Sequence, residues 1–587
     1  MSSQSHAERV DSPASDAPRP ASQFPAPPPG VTPTPLPRCD EMLSELAAAR
    51  PKWVALSTAE RAALLRACMP TTLAVSDKWA ATACAVKGYQ EGSNGHGEEY
   101  LGGTLAVMRN LRLFAEALEA GGQPKLPKKW QRPDGQWVAQ VFPQGGTDKL
   151  LFAGITCDIW IEPGKEPTQG RIYREKAAGK GGSGGLCVVL GAGNQSSIPP
   201  MDVLYKLVVD DEVCLLKMNP VNEQLGPVIE DAFRPLIDAG FLRVAYGGIS
   251  VGQHLTDHAL TTSIHITGSA VAHDAILYGP GEEGKKRKAA RTPRIDKTIT
   301  SELGCVSPVL VVPGAWSDAE LDYQARQVAS MLAYNCGFNC NGSRLIVLAK
   351  GWALRDRFEQ LVKDKLAATP TRRAYYPTAK ATWDRFTKVY PQHTDLGAVT
   401  DPTALPWTIL EGVSANDGEY ALAEEPWCSI MSFVDLDAGD AKSYLEAAVP
   451  FANDRCWGTL SCNLLVDPRA EAQLGADFDR AVAALRYGAI AINCWSGLNY
   501  GLVNSTWGAF PGHPSHDIQS GQGVVHNGLL LDHPQKSIVR APFIMKPTPA
   551  WFTDHKNNLA LGRRMTRFEA APAWWKIPAI AITALKG

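Results

Sequence analysis

Residues 186–194 read LCVVLGAGN, a run of five apolar residues that leads into a turn with two glycines. Such a continuous apolar run is typical of a strand that is buried on both faces of a parallel sheet. Helix and strand patterns follow in the order MDVLYKLVVDD (helix), EVCLLKMNP (strand), QLGPVIEDAFRPLIDAG (helix), LRVAYGG (strand) and SIHITGS (strand). This order predicts an α/β fold with a doubly wound parallel sheet, and it places a ligand site at the carboxyl ends of the strands.

A second alternating region begins with VSPVLVVPG at residues 306–314 and continues through RLIVLAK, WCSIMSFVDL, TLSCNLLVD and GAIAINCW. It predicts a second α/β domain. Upstream of the first sheet, residues 40–121 show helical spacing, and we expect order to begin near Asp40. Ser57 and Glu60 have the spacing of a capping box, which predicts the start of the second helix.

Three further segments contain strand patterns or an apolar end. WVAQVFP and LLFAGITCDIWIEPG predict a hairpin-like excursion, and KSIVRAPFIM predicts one later strand. The end of the sequence, APAWWKIPAIAITALKG, is apolar but too short to span a bilayer, so we expect it to pack against the body of the protein. Residues 1–37 are rich in Pro, Ser and Ala and predict a disordered tail.

The composition narrows the classes of function. The chain has 587 residues, of which 45% are hydrophobic and 20% charged, with a formal net charge of −2. Its length predicts two to four domains, and its charge supplies no overall positive field for nucleic acid or an anionic membrane. We therefore expect a small-molecule or protein partner, with no nucleic acid and no membrane.

The thirteen cysteines include no CxxC pair and no His/Cys cluster at zinc spacing. This pattern argues against a disulfide framework and a structural metal, and it favours reduced thiols. The first residues lack a basic start with an apolar core, and no run of eighteen apolar residues occurs. The sequence therefore predicts a cytoplasmic protein without a metal site.

Six short motifs in a fixed order resemble those of the aldehyde dehydrogenase superfamily, across roughly residues 40–550. They are LGAGNQ, LLKMNP, HITGS, SELG, NCGFNCNGSR and EEPW. The resemblance implies a Rossmann-like cofactor domain (38–135 and 176–298), an α/β catalytic domain (299–530) and a β-strand oligomerisation arm (136–175 and 531–550). Residues 551–587 would form a C-terminal extension. Because the family pairs such arm strands across subunits, it also implies a homodimer or homotetramer.

The resemblance distinguishes the two cysteines of NCGFNCNGSR. The family's nucleophile lies three residues after a glycine and shortly before an arginine, and Cys340 has this position relative to Gly337 and Arg344. A loop of Asn and Gly residues is also a suitable setting for a reactive thiolate. Phe338 departs from the family pattern, which usually has Gln there. Cys336 precedes the glycine, and we interpret it as a small buried hydrophobe.

The other catalytic residues come from the same resemblance. Asn194 matches the family's oxyanion donor, which acts with the backbone N–H of the nucleophile; read by itself, it is a turn residue after Gly191 and Gly193. Glu302 of SELG follows a predicted strand and matches the general base that activates water. A carboxylate in an apolar cleft should have a raised pKa.

Five residues are implied in binding a nicotinamide cofactor, and they are Lys217, Gly268, Ser269, Glu425 and Trp427. Two positions depart from the family. His273 stands where the second glycine of the phosphate turn is expected, and Pro220 stands where many NAD-preferring relatives have a ribose-binding Glu. The cofactor is therefore NAD or NADP, and we expect NADP to be accepted.

Two polar features have ordinary explanations. His265 lies in an apolar strand and is interpreted as a hydrogen-bonded core histidine without a catalytic role. GPGEEGKKRKAARTPR, at residues 279–294, is longer than the family usually allows, and its cluster of Lys and Arg predicts a solvated loop.

The sequence thus predicts an enzyme that oxidises an aldehyde to a carboxylic acid with NAD or NADP, through a cysteine thiohemiacetal and thioester. Two alternatives remain open at this point. One is a CoA-acylating member of the family, which Glu302 disfavours because such members commonly lack that base. The other is a catalytically silent structural or binding homologue, which retention of Cys340, Glu302 and Asn194 disfavours.

Overall fold

A computed structural model describes residues 30–587. Most of the predicted tail, residues 1–29, lies outside the described residues. The first helix begins at Leu36, earlier than the expected start of order near Asp40. Residues just before it are already fixed, because the Thr34 N–H donates to the Tyr246 carbonyl (3.1 Å) and the Val31 N–H donates to the Glu223 carboxylate (3.1 Å). Hydrogen bonds to distant residues therefore order a proline-rich stretch whose composition suggested disorder.

Nineteen strands lie within residues 30–587. They are β1 Lys128–Gln131, β2 Trp137–Phe142, β3 Thr156–Ile161, β4 Gly185–Leu190, β5 Glu212–Lys217, β6 Leu242–Ala245, β7 Ser263–Gly268, β8 Thr298–Leu303, β9 Pro308–Val311, β10 Leu345–Ala349, β11 His393–Leu396, β12 Trp407–Leu410, β13 Ile430–Leu436, β14 Ser461–Leu465, β15 Ala489–Ile492, β16 Thr506–Gly508, β17 Gly521–Gln522, β18 Val524–His526 and β19 Pro534–Arg540.

The same part of the chain contains twenty-three α-helices. They are α1 Leu36–Ala55, α2 Thr58–Ala74, α3 Ser76–Lys87, α4 Asn94–Glu99, α5 Leu105–Glu119, α6 Gly146–Leu151, α7 Arg171–Ala177, α8 Ile198–Val208, α9 Gly226–Ala232, α10 Arg234–Asp238, α11 Ile249–Asp257, α12 Ala270–Leu277, α13 Gly281–Ala290, α14 Asp318–Ala333, α15 Arg355–Ala368, α16 Ala379–Val389, α17 Tyr420–Ala423, α18 Ala441–Asp454, α19 Pro468–Leu474, α20 Ala476–Ala484, α21 Gly497–Leu502, α22 Asn558–Ala570 and α23 Ile577–Leu585.

The opening stretch forms β4, the central strand of a six-stranded sheet with the order β17-β8-β7-β4-β5-β6. Strands β4 to β8 are parallel, and only β17 runs antiparallel. From β4 the chain builds outward through β5 and β6, and it then crosses to the other side of β4 with β7 and β8. This reversal creates a topological switch point between β4 and β7, where the carboxyl ends open toward a ligand. The predicted doubly wound sheet is confirmed.

The second region forms an eleven-stranded sheet with the order β1-β2-β3-β19-β15-β14-β9-β10-β13-β12-β11. Its central strands, from β19 to β12, are parallel and almost wholly buried. Helices α14 and α18 cover strands of this sheet. Parallel strands need cover on both faces, which explains their continuous runs of Val, Ile and Leu. The second alternating region therefore forms a second, largely parallel sheet, in agreement with the predicted α/β fold.

The two predicted arm segments come together within one chain. Strand β19 pairs antiparallel with β3, and β3 pairs with β2, so residues of 136–175 and 531–550 form one strand cluster. β19 also pairs parallel with β15 of the large sheet. The free edge of the cluster is β1, where Lys128 and Lys129 are exposed. Charged side chains on an edge discourage pairing with another sheet.

Several local predictions need correction. Residues 279–294, expected to be a loop, contain the helix α13, whose exposed charges form ion pairs such as Lys285–Glu282 and Arg287–Glu283. The single helix expected over QLGPVIEDAFRPLIDAG is divided into a 3₁₀ turn, α9 and α10, with a proline near the start of each helix. The capping box of Ser57 and Glu60 is confirmed.

Candidate active site

The Cys340 thiol lies against the Glu302 carboxylate. Glu302 is the second-last residue of β8, and Cys340 lies in the turn that precedes β10. The distance from Cys340 Sγ to Glu302 Oε1 is 3.2 Å, a thiol–carboxylate hydrogen bond. Glu302 is 3% exposed, and its Oε2 has no hydrogen-bond partner within residues 30–587. The structure therefore brings together the two residues that the sequence predicted to be the nucleophile and the base and that lie in separate motifs.

The backbone before Cys340 takes an unusual path. Asn335, Cys336 and Gly337 follow one another with φ values of 54°, 58° and 84°, in the left-handed region. Non-glycine residues adopt this conformation at a cost of about 1–2 kcal/mol each, so other contacts must hold it. Buried Arg344 supplies some of them, because its guanidinium donates to the carbonyls of Gly337 and Cys428. Arg344 thus fixes the turn that presents Cys340.

A buried ion pair holds the same turn from the other side. Glu98 Oε2 accepts the backbone N–H of Asn335 at 2.9 Å, and Glu98 pairs with Arg372 at 2.8 Å. Glu98 is 1% exposed. Beside it, Lys87 pairs with Glu99 at 2.6 Å. This cluster was not predicted from the sequence, because Glu98 lies far along the chain from Arg372 and Asn335 and none of its charged residues lies in a recognisable motif.

Asn194 reaches the nucleophile loop from the end of β4. Its Nδ2 donates to the Phe338 carbonyl at 3.1 Å, and its own carbonyl accepts from Asn335 Nδ2 (3.1 Å) and the Tyr375 hydroxyl (3.2 Å). Asn194 is buried. The side chain that the sequence assigned as the oxyanion donor is therefore fixed two residues away from Cys340 along the loop.

The Glu302 carboxyl is buried, and this burial changes its pKa. Burial, with the negative charge of Asp202, raises its pKa from 4.5 to about 7, although side-chain contacts with Trp507 and Cys340 partly oppose the change. Burial and the charges of Glu302 and Glu425 hold the pKa of the Cys340 thiol well above its usual range. At neutral pH, Glu302 is therefore close to half ionised while the thiol keeps its proton.

A buried polar chain lies beside Glu302. Thr267 is the neighbour of Glu302 in the pairing of β7 with β8, and its hydroxyl donates to Asp202 Oδ2 at 2.9 Å. His265 Nδ1 lies 2.9 Å from the Thr300 hydroxyl, and its Nε2 lies 3.4 Å from Asp202. The prediction that His265 is a hydrogen-bonded core histidine is confirmed.

Glu425 and Trp427 close another side of the site. A Cβ added to Gly304 would fall 1.9 Å from Glu425 Oε2, so this carboxylate lies directly on the Gly304 backbone. Burial and the charge of Glu302 raise the pKa of Glu425 to about 8, despite the opposing charge of Arg344. The Trp427 ring packs edge-on against Tyr376, with centroids 5.5 Å apart.

The remaining predicted cofactor residues lie at the carboxyl edge of the six-stranded sheet. Lys217 ends β5, Gly268 ends β7, and the Ser269 hydroxyl caps α12 by accepting the Ala272 N–H at 3.2 Å. Gly268 and Ser269 are exposed. His273, at the position of the expected second glycine, is instead a buried residue of α12, where its Nδ1 lies 3.3 Å from Asp274.

Lys217 is buried without a direct ion pair. Its ammonium forms no hydrogen bond or salt bridge with the described part of the chain, and burial lowers its pKa to about 8, against the favourable charge of Glu223. Glu223 is also buried, and its Oε2 lacks a partner in residues 30–587. A buried cation and an unsatisfied carboxylate oxygen at one sheet edge are the features expected where a polar ligand binds.

No known protein-family model matches the sequence. Solved structures of aldehyde dehydrogenases match most of the chain. KauB, the aldehyde dehydrogenase from Pseudomonas aeruginosa, superposes with a TM-score of 0.58 at 17% identity, over 87% of this chain and 90% of that chain. The aldehyde dehydrogenase of Mycobacterium tuberculosis, complexed with NAD+, gives a TM-score of 0.59 at 15% identity, over 88% and 92% of the two chains.

A third match is the NADP-dependent glyceraldehyde-3-phosphate dehydrogenase from Bacillus halodurans C-125, complexed with NADP. Its TM-score is 0.57 at 15% identity, over 86% of this chain and 91% of that chain. The chain has the aldehyde dehydrogenase fold. At these identities the likeness establishes the fold, and the chemistry has to be argued from the site.

Two features of this aldehyde dehydrogenase fold were missed by sequence reasoning. Ile249 and Val271, at the starts of α11 and α12, are 89% and 78% exposed. They follow β6 and β7, at the edge that carries Lys217 and Gly268. Their exposure shows that this edge offers apolar surface beside polar groups, a combination typical of a small-molecule site. An isoleucine at a helix start gives no signal of this in the sequence.

Proposed function

We propose that the protein is an NAD(P)-dependent aldehyde dehydrogenase that oxidises an aldehyde to a carboxylic acid. The observation that carries the proposal is the 3.2 Å contact between the Cys340 thiol and the Glu302 carboxylate, with Asn194 fixed on the same loop. A nucleophile, a base and an amide donor in one cleft are the elements of acyl-transfer chemistry. The matched folds are those of aldehyde dehydrogenases, which favours an aldehyde as the substrate.

The first step is activation of the nucleophile. Because the thiol has a raised pKa, it needs a base at hydrogen-bond distance, and the ionised Glu302 Oε1 accepts its proton. The thiolate sulfur of Cys340 then attacks the aldehyde carbon, and the carbonyl oxygen takes up negative charge. One Asn194 amide hydrogen is committed to Phe338, and the other is available to this oxygen together with the Cys340 N–H.

The residues at the sheet edge suit a dinucleotide cofactor. Lys217 would bind ribose hydroxyls or a phosphate, Gly268 and Ser269 would face the pyrophosphate at the start of α12, and Glu425 and Trp427 would hold the nicotinamide end. When bound there, the nicotinamide supplies the hydride acceptor that turns the aldehyde adduct on Cys340 into a thioester. The unpaired Lys217 ammonium supports this assignment, since it has no other partner in residues 30–587.

Hydrolysis of the thioester completes the reaction. Glu302, whose pKa is near 7, first releases to solvent the proton that it took from the thiol. It then accepts a proton from water as the water oxygen attacks the thioester carbon, and Cys340 leaves as the thiolate, which can take that proton back from Glu302. The product is a carboxylic acid. A free carboxylate oxygen, Oε2, remains next to the nucleophile for this purpose. This arrangement supports water as acyl acceptor over the thiol of CoA.

The test is a steady-state assay of reduced cofactor with short aliphatic, long aliphatic, aromatic and charged aldehydes, each with NAD and with NADP. We expect turnover with at least one class and release of the acid. Formation of an acyl-CoA when CoA is added, with a strong rise in rate, would instead assign the CoA-acylating activity. Absence of cofactor reduction with every aldehyde would support the silent homologue.

Assembly into a homodimer or homotetramer is also a proposal. The arm strands β2, β3 and β19 form one cluster near an edge of the large sheet, and this cluster would suit an interface between subunits. The mass in solution, from sedimentation equilibrium at micromolar concentration, tests it. A strictly monomeric mass would remove the oligomerisation role from this cluster.

A further inference from the structure

Large apolar side chains are exposed together at the C-terminal end of the described chain. Leu150, Trp574, Trp575, Ile582 and Leu585 are 59%, 63%, 77%, 56% and 71% exposed. We call these five residues the C-terminal apolar face. They make up five of the eleven large hydrophobic residues exposed within residues 30–587, although they come from three short elements. Scattered exposed hydrophobics are ordinary, but a cluster of this kind marks an interaction surface.

Helix α23 is apolar on both sides, and only one side is covered. Ile577, Ile580 and Thr583 are buried at helical spacing against α22 and its neighbours, which fixes the orientation of the helix. Ile582 and Leu585 therefore point outward, and the two tryptophans precede the helix in a 3₁₀ turn. An amphipathic helix on a water-exposed surface normally presents polar residues on its outer side. Here the outer side is apolar.

Helix α6 extends the same face. The ring of Trp574 lies against Gly146, the first residue of α6, since a Cβ added there would fall 2.9 Å from the ring. Leu151 and Phe152 pack into the cluster that anchors α23, while Leu150 remains exposed. The face is thus built on two helices that pack into the same apolar cluster.

The surroundings of the face are basic. Residues 556–587 contain six Lys and Arg residues and a single acidic residue, Glu569. Glu569 is buried and neutralised by Arg109 and Arg112, at 2.6 Å each, so it presents no negative charge to solvent. Three exposed cations adjoin the apolar residues, and we call them the basic rim: Lys149, Arg567 and Lys586. Lys149 and Lys586 are sequence neighbours of Leu150 and Leu585, and the Arg567 carbonyl accepts a hydrogen bond from Lys576 Nζ at 3.0 Å. The Lys576 ammonium lies over the Trp575 ring, 5.4 Å from its centroid.

We propose that the C-terminal apolar face docks reversibly on an anionic lipid surface, with the basic rim facing the headgroups. Tryptophan rings suit the boundary between headgroups and acyl chains, and exposed aliphatic side chains beside cationic ones can bind at this depth. The expectation of no membrane partner rested on the net charge of the whole chain, and the charge of this region has the opposite sign.

The charge also distinguishes this partner from a second copy of the chain. A two-fold interface would place the same face of both copies together, and thus the two basic rims opposite each other. An anionic surface has complementary charge instead. The mode of binding follows from length: α23 has nine residues and is about 14 Å long, well short of the roughly 30 Å hydrocarbon core. The helix therefore lies in the plane of the interface. Within residues 30–587, no helix has the length and apolar character to cross a bilayer.

The experiment is co-sedimentation of the full chain with phosphatidylcholine vesicles that either contain or lack phosphatidylglycerol. We expect binding to the anionic vesicles, a blue shift of tryptophan emission, and weaker binding when salt is raised from about 0.1 M to about 0.5 M. Trp575→Ser/Ile582→Ser should lower the partition coefficient at least about tenfold, because it removes two exposed apolar side chains. Leu150→Ser/Leu585→Ser serves as a second variant and should also bind more weakly.

Val389→Ser/Val399→Ser is the matched control, since both valines are 47% exposed and lie elsewhere on the surface. It should bind vesicles like the unmodified protein, and thermal unfolding should verify that all variants fold. Failure of the unmodified protein to bind anionic vesicles would overturn the proposal. A drop in the solution mass of Trp575→Ser/Ile582→Ser, without any vesicle binding, would assign the face to self-association instead. Vesicle binding and solution mass do not depend on aldehyde oxidation. This experiment can therefore fail without affecting the proposed function, and the proposed function can fail without affecting this experiment.

Discussion

Cys340 Sγ and Glu302 Oε1 lie 3.2 Å apart, although the two residues are 38 positions apart in the chain; Glu302 lies in the six-stranded sheet, and Cys340 lies in the turn before a strand of the eleven-stranded sheet. The contact makes one carboxylate the neighbour of both the thiol and any acyl group on it. Glu302 is therefore placed to serve both steps of the proposed reaction, deprotonation of the thiol and activation of water. The first of these roles could not be assigned from the sequence.

Replacing Glu302 tests both roles. In Glu302→Gln, steady turnover should fall by about 10² to 10⁴, which is the usual contribution of a general base. A burst of reduced cofactor, up to one equivalent per site, should survive but form more slowly, because the thiol loses its proton acceptor. Intact-protein mass spectrometry should find an acyl adduct on Cys340. Glu282→Gln, on the exposed surface of α13, is the control and should keep full activity; an unchanged steady rate in Glu302→Gln would refute the hydrolytic assignment.

The pH dependence follows from the raised pKa of Glu302. The base works in its ionised form, so the turnover rate should rise as pH increases through about 7, and this step should be absent in Glu302→Gln. Stability should change in the opposite direction. Between pH 4.5 and about 7 the folded protein holds the proton more tightly than the unfolded chain, so stability falls as pH rises, by about 3 kcal/mol in total. Denaturant titrations at both pH values should show a smaller fall for Glu302→Gln.

The two cysteines of the loop should behave differently. Burial raises the pKa of both thiols, but Cys336 is buried against the Tyr89 hydroxyl at 3.2 Å, whereas Cys340 is half-buried and has the Glu302 carboxylate as its proton acceptor. Cys336→Ser should therefore stay within about threefold of the original activity, while Cys340→Ser should lose turnover. Iodoacetamide followed by peptide mapping should label Cys340 first, with inactivation in proportion. Preferential labelling of Cys336 would contradict the assignment of the nucleophile.

Glu98 should position the nucleophile without touching the substrate. Glu98→Ala leaves Arg372 buried without its partner and removes the acceptor of the Asn335 N–H, so we expect a loss of about 3 kcal/mol in stability. Among molecules that stay folded, labelling of Cys340 should slow, and kcat should fall more than KM rises. Glu98→Gln keeps an acceptor for the Asn335 N–H, so it should lose less stability and less kcat than Glu98→Ala. Glu91→Ala, on the exposed turn nearby, should change neither stability nor kcat.

Cofactor choice should depend on Glu223. Pro220 occupies the position of the expected ribose-binding Glu, yet Glu223 lies near Lys217 with one unsatisfied carboxylate oxygen. We expect NADP to be accepted, and Glu223→Gln should raise the ratio of kcat/KM for NADP over NAD, because a carboxylate repels a 2′-phosphate. The two efficiencies should be measured for both proteins. A strong NAD preference that Glu223→Gln leaves unchanged would contradict this role.

The sequence determined the elements and most of the motifs. The apolar runs at 186–190, 308–311 and 345–349 became buried parallel strands, because period and length reflect burial on both faces of a sheet. The Ser57–Glu60 capping box likewise needs only residues three apart. The basic stretch 279–294 shows the limit of such reasoning. Its charges suggested a solvated loop, but ion pairs three and four residues apart stabilise a helix there.

Only the tertiary structure decided what these elements do together. Three features join residues that are far apart in the chain. They are the contact of Cys340 with Glu302, the hydrogen bond from the Asn335 N–H to Glu98, and the C-terminal apolar face, which combines Leu150 with side chains from residues 574–585. Burial raises the pKa of Glu302, and the burial of a glutamate cannot be predicted from its neighbours in the sequence. The spacing of residue types along the chain encodes helices and strands. The pKa of a buried group, the contacts that it makes and its exposure depend instead on how distant parts of the chain pack together and exclude water.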